Sequence, residues 1–146
     1  MMSISTKGRY AARILVCLAR HANGACLNKH EIGESEAISE NYVEQIMLRL
    51  KAAHLVRSYR GRKGGFALTR PAEKITFSDV LRAVEGPVSP VPCLYVETCE
   101  REATCPTRQV WKETAAAVEK IFTRTTIATM AKQAAKTWIG CASYQI

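Results

Sequence analysis

The amino-acid sequence predicts a mainly α-helical chain with a small β ribbon, and three observations carry that prediction. Two short, capped helical patterns meet across a tight turn within residues 28–52. A strand, a glycine turn and a second strand follow at 56–68. Residues 107–138 hold neither Gly nor Pro and are rich in Ala, Lys and Glu. At 146 residues, 47% hydrophobic and 23% charged, the composition suits one domain with one sizeable core.

Each element has a local cause. Thr6 is expected to cap a first helix that places Ala11, Ile14, Leu15 and Leu18 on one stripe, and Asn23-Gly24 to end it. Asn28 with Glu31 is a capping-box pattern opening a second helix to about Glu36, and Ser39 caps a third whose Val43, Ile46, Met47 and Leu50 share a face. Val56-Arg57-Ser58-Tyr59 and Phe66-Ala67-Leu68 alternate as strands around Arg60-Gly61-Arg62-Lys63-Gly64-Gly65, which makes a two-stranded wing. Thr76 with Asp79 opens a fourth helix through Val80, Leu81 and Val84, stopped by Gly86-Pro87.

Residues 87–106 carry four prolines and three cysteines with little periodicity, so they are expected to form a loop ordered by something bound there. Trp111, Ala115, Val118 and Phe122 recur at helical spacing and predict one long helix over 107–138. An apolar stripe on so long a helix, in so small a chain, calls for a partner helix, and a second copy of the chain is the simplest one. The chain thus divides into a winged helix-turn-helix domain at 2–86 (helix-turn-helix about 28–52, wing 56–68), a cysteine loop at 87–106, a dimerisation helix at 107–138 and a tail at 139–146.

Lys and Arg outnumber Asp and Glu by 21 to 13, a net charge of +8, which makes a polyanion the first partner to consider. The start lacks a leader-like apolar block and no stretch approaches the ~20 apolar residues of a membrane span, so a cytoplasmic protein is expected. A duplex major groove admits one helix with a polar outer edge. Residues 39–52 meet that need, offering Ser39, Asn41, Tyr42 and Gln45 for bases or phosphates and Arg49 for a phosphate. Between 57 and 74 six Lys or Arg face one acid, and Arg60, Arg62 and Lys63 sit on the glycine turn, suited to the neighbouring minor groove or backbone. Any one of these side chains could simply solvate a surface. Turn, polar helix and basic wing in this order favour double-stranded DNA, and dimer symmetry favours a palindromic operator.

Cys93, Cys99 and Cys105 recur at six-residue intervals, too wide for the paired arms of a zinc ribbon. Three soft thiolates suit zinc or an iron-sulfur cluster, the latter needing a fourth ligand and thereby gaining a labile, sensing iron. Cys17 lies in an apolar run and is expected in the core, whereas Cys26 and Cys141 have no supporting spacing and stay unassigned. His21, His30 and His54 are scattered and no triad, phosphate loop or carboxylate pair stands out, which argues against an enzyme. The lack of a four-cysteine run argues against an electron carrier. A cluster-free thiol switch on the same DNA-binding body is the second reading, with two of the three cysteines pairing on oxidation.

Ser5-Thr6-Lys7-Gly8-Arg9-Tyr10-Ala11, Ile38-Ser39-Glu40-Asn41-Tyr42-Val43-Glu44-Gln45-Ile46, the wing Arg60-Gly61-Arg62-Lys63-Gly64-Gly65-Phe66 and the stop Val84-Glu85-Gly86-Pro87 together resemble the winged-helix family of the bacterial iron-sulfur regulators IscR and NsrR. The resemblance spans nearly the whole chain and implies a dimer joined through the long helix. It also implies a reading helix from about Ser39, wing arginines at the flanking groove, and repression or activation controlled by cluster state. Cys93, Cys99 and Cys105 match the family's cluster cysteines. The fourth ligand does not carry over: Arg108 stands where the cluster-biogenesis regulators have a histidine, and Arg9 where the nitric-oxide sensors have an aspartate. Glu85, Glu97, Glu100, Glu102, a small thiol or water are the alternatives, with a two-iron or a four-iron cluster equally compatible.

Overall fold

In a computed structural model, which describes residues 4–21, 26–95 and 99–141 and the side chains of these through Lys136, six helices surround one core with a two-stranded antiparallel sheet at its side. The expected fold class, mainly α with a small β wing, is the one observed.

Helix α1 (Thr6–Arg20) is capped by Ser5, not Thr6: Ser5 is extended and its hydroxyl accepts the Gly8 amide at 3.2 Å. Thr6 already lies inside the helix, its hydroxyl accepting from Arg9 at 3.1 Å. The helix closes on His21, whose amide donates to the Leu18 carbonyl. It therefore stops before the Asn23-Gly24 pair, which lies outside the described residues.

Helix α2 (Lys29–Glu36) opens with the expected capping box: the Glu31 amide donates to Asn28 at 3.0 Å and the Asn28 amide to Glu31 at 2.7 Å. It ends on Ala37 in the left-handed region (φ 53°). At Gly33 an added Cβ would stand 2.7 Å from the Ile38 carbonyl, so glycine lets the chain fold back tightly. Helix α3 (Glu40–Ala52), capped by Ser39, follows at once.

Strands β1 (Val56–Tyr59) and β2 (Gly65–Leu68) pair Val56 with Leu68, Arg57 with Ala67, Ser58 with Phe66 and Tyr59 with Gly65. Leu27 adds one bridge to Phe66, which ties the wing to the start of α2. Helix α4 (Phe77–Glu85) opens with the Thr76/Asp79 capping box and ends at Gly86 with φ 85°.

The single helix expected over 107–138 is two: α5 (Arg108–Arg124) and α6 (Ile127–Cys141), the second running into the segment expected to be a tail. The break has a tertiary cause. The Thr125 carbonyl accepts the Phe77 amide at 2.8 Å and the Ile127 amide donates to the Ile75 carbonyl at 2.9 Å, forming a bridge between Thr76 and Thr126. Thr126 then caps α6 by accepting the Thr129 amide at 3.1 Å. This reversal seats Ile127, fully buried, in the core and lays α6 back along α1.

The core joins α1 (Ile14, Leu15), α2 (Ile32), α3 (Val43, Ile46, Met47, Leu50) and α4 (Val80, Val84). Burying each such Ile, Leu, Val or Met contributes about 1.5–3 kcal/mol, so α3 is anchored by four residues while its other side stays open. Helix α5 differs: none of its residues is fully buried, and Val110 and Ile121 are 57% and 47% exposed. It is held to α4 by Phe122 against Phe77 (ring centroids 4.9 Å apart) and by Glu119, which accepts from Ser78 and Arg82.

Candidate nucleic-acid interface and cysteine loop

Asn41, Gln45 and Arg49 are all exposed on α3 and, four residues apart, share its outer face. Ser39 is exposed too; its hydroxyl accepts the Tyr42 amide at 3.4 Å as the cap and keeps its O–H to donate. Tyr42 is half-buried, packed edge-to-face on Tyr10 of α1 with ring centroids 5.8 Å apart. Leu48, 65% exposed, and Lys7 of α1 line a shallow groove with Gln45 and Arg49. Neither is a residue singled out from sequence. Leu48 carries a signal there in hindsight, an apolar residue three positions after Gln45 on the polar edge; the approach of Lys7 is purely tertiary.

The two carboxylates on the same helix are held by α2. Lys29 bonds Glu44 at 3.1 Å, and His30 bonds Glu40 at 2.9 Å with Glu34 at 3.7 Å from its other nitrogen. These pairs offset negative charge beside the polar edge. The Glu40 carboxylate, and after it Glu34, pushes the His30 pKa above its ordinary 6.5.

Arg60, Arg62 and Lys63 are all exposed at the tip of the wing, where Gly61 takes φ 112° and its carbonyl accepts the Gly64 amide at 2.9 Å. Lys51, in the last turn of α3, donates to Ser58 of β1 at 2.9 Å. The outer edge of α3 and the strand leading to the basic turn are thus linked side by side.

The cysteine loop leaves α4 at Gly86. Cys93 lies in a 3₁₀ turn (Pro92–Leu94), and Cys105 follows a second one (Glu102–Thr104) and precedes α5. Cys93, Cys99 and Cys105 are half-buried with free thiols. Among the described residues no three Cys, His, Asp or Glu are grouped closely enough to hold a single metal ion. The Thr107 hydroxyl, 3.4 Å from Cys105, and the amides of Thr107 and Arg108 hold the Cys105 pKa below its ordinary value. As a donor set, three free soft thiols on one loop fit an iron-sulfur cluster.

Of the carboxylates considered for a fourth ligand, Glu85 accepts two hydrogen bonds from Ser5, Glu102 is bound by Arg108, Glu100 is exposed, and Glu97 lies outside the described residues. Arg108 occupies its place as a salt-bridge partner. Cys17 is in the core as expected, its Sγ 3.5 Å from the Ser35 hydroxyl, with burial pushing its pKa up. Cys26 is half-buried and free, and the Cys141 side chain lies outside the described residues.

The sequence and fold are similar to those of known proteins. The model of the Rrf2 family, described as an iron-dependent transcriptional regulator, matches residues 4–133. The HTH-type transcriptional regulator CymR of Bacillus subtilis is 35% identical over 130 residues, covering 89% of this chain and 90% of the relative. The solved structure of CymR, titled the global cysteine regulator of B. subtilis, superposes with a TM-score of 0.77 at 34% identity, over 91% of this chain and 98% of that one. The structure of T. potens IscR superposes with a TM-score of 0.75 at 30% identity, over 90% and 88%.

Proposed function

The chain belongs to the Rrf2 family of transcription regulators, and we propose that it binds a palindromic operator in double-stranded DNA as a homodimer, with its grip controlled through Cys93, Cys99 and Cys105. Its relatives are helix-turn-helix regulators, not enzymes. The observation that carries the DNA reading is the exposed edge of α3 set beside the basic wing by the Lys51–Ser58 bond. In this reading Asn41 and Gln45 meet base edges, Ser39 and Tyr42 reach phosphates or bases, and Arg49 meets a phosphate. Arg60, Arg62 and Lys63 follow the flanking groove. The half-covered face of α5 supports a second copy as its partner. No helix among the described residues is long and apolar enough to cross a membrane, in keeping with a regulator working in the bacterial cytoplasm. We read it as a repressor.

For the signal, Cys93, Cys99 and Cys105 would hold an iron-sulfur cluster, of two or four irons. Such a group supplies a centre responsive to iron, cluster demand, oxygen or nitric oxide. The family's description as iron-dependent supports this reading. A fourth ligand would come from Glu85, Glu97, Glu100, Glu102, a small thiol or water, with Glu85 and Glu102 already hydrogen-bonded to Ser5 and Arg108. The likeness to CymR, titled a cysteine regulator, favours the second reading: two of these thiols give up two protons and two electrons to an oxidant and form a disulfide. Binding of fluorescent duplexes selected from a random pool tests the DNA function. Enrichment of a two-fold symmetric sequence supports it, and failure to enrich any sequence contradicts it.

A further inference from the structure

A cavity of about 480 Å³ opens between the C-terminal end of α1, the wing and α6, on the opposite side of β1 from Ser58, which bonds to α3. Its volume lies in the range of small-molecule sites. Leu18, Leu68, Ala128 and Ala131 give it apolar walls. The pairing of Arg57 with Ala67 places the Arg57 side chain on the same face, where its guanidinium lies 5.3 Å from the centre of the Tyr59 ring.

The charge in the pocket is one-sided. Arg57, Arg70 and Lys132 line it against a single acid, Glu73. Arg70 is already committed, bonded to Asp79 at 3.3 Å and to the Lys74 carbonyl at 3.0 Å. Arg57, pre-oriented by its aromatic neighbour, and Lys132 are the cations that face a ligand. From this juxtaposition we infer that the pocket between the wing, α1 and α6 binds a small organic anion with an apolar body, such as a carboxylate or sulfonate on a hydrocarbon or aromatic frame. Apolar walls supply the burial and two cations on different elements fix the charged end. The site is separate from the cysteine loop and from the outer edge of α3.

Fluorescence titration of the full chain with 8-anilinonaphthalene-1-sulfonate tests this. The expected result is saturable binding of one probe per chain. Ala131→Trp, which fills the pocket, abolishes it, and Arg57→Ala/Lys132→Ala weakens it about tenfold. The neutral analogue N-phenyl-1-naphthylamine binds less tightly than the sulfonate. Both residues of the double variant are exposed, so it decides the matter even if Ala131→Trp does not fold. Absence of saturable binding, as when a second copy covers the pocket, overturns the inference. So does affinity unchanged by Arg57→Ala/Lys132→Ala in protein that melts like the wild type.

Discussion

Glu85, the last residue of α4, accepts two hydrogen bonds from Ser5, one from its amide at 3.0 Å and one from its hydroxyl at 2.8 Å. Ser5 is also the cap of α1. One carboxylate therefore ties the start of the first helix to the point where the cysteine loop begins. Two bonds to a charged acceptor, discounted for solvent exposure, give Glu85→Ala a cost of about 1–2 kcal/mol. Thermal denaturation should show a fall of roughly 3–8 °C, and Gly8→Ala, whose new methyl meets the same carboxylate, a comparable one.

Ala37 turns α2 into α3 with φ 53°, a conformation glycine adopts without strain. Ala37→Gly is expected to stabilise the fold by about 0.5–1 kcal/mol, the relief of that strain exceeding the entropy glycine adds to the unfolded chain. A β-branched residue works in the other direction, so urea denaturation should rank Gly above Ala and Ala above Val.

His30 gives a pH dependence with a definite sign. Its folded pKa is raised by Glu40 and then Glu34, so protonated His30 favours the folded state. That contribution is fully present below the unfolded value of about 6.5 and is lost as pH rises through the higher folded one. His30→Gln should flatten the loss of stability expected as pH rises above about 6.5, and an NMR titration should place the imidazole of His30 above that of a model histidine.

In the proposed DNA complex, Gln45→Ala and Arg60→Ala separate reading from gripping. Removing a bidentate base contact costs about 1–3 kcal/mol on the operator and little on random duplex. Removing a phosphate contact weakens both and lowers the slope of log affinity against log salt by about 1. Anisotropy titrations at several salt concentrations distinguish the two patterns.

Much of this was legible in the residues. The capping pairs Asn28/Glu31 and Thr76/Asp79, the glycine turn and the apolar faces of α1, α3 and α4 act locally, and they appear where their chemistry places them. What escaped depends on contacts distant in sequence. Nothing near Thr125 and Thr126 breaks a helix by itself; the strand-like bridge to Thr76 does. Ser5 outcompetes Thr6 as a cap while held by Glu85, 80 residues away. The exposure of Leu48 and the nearness of Lys7 to Gln45 follow from how α1 packs on α3. The spacing of Cys93, Cys99 and Cys105 is visible in the sequence, but spacing alone does not say which atom completes a ligand set around them.

We propose that the sensing centre of this DNA-binding regulator is an iron-sulfur cluster on these three thiols. Its most direct test is the visible absorbance of protein purified without oxygen, with iron and acid-labile sulfide assayed on that sample and on Cys99→Ala. The expected result is a brown protein with matched iron and sulfide that the substitution bleaches; a colourless, metal-free protein after cluster reconstitution overturns the cluster and favours the disulfide reading.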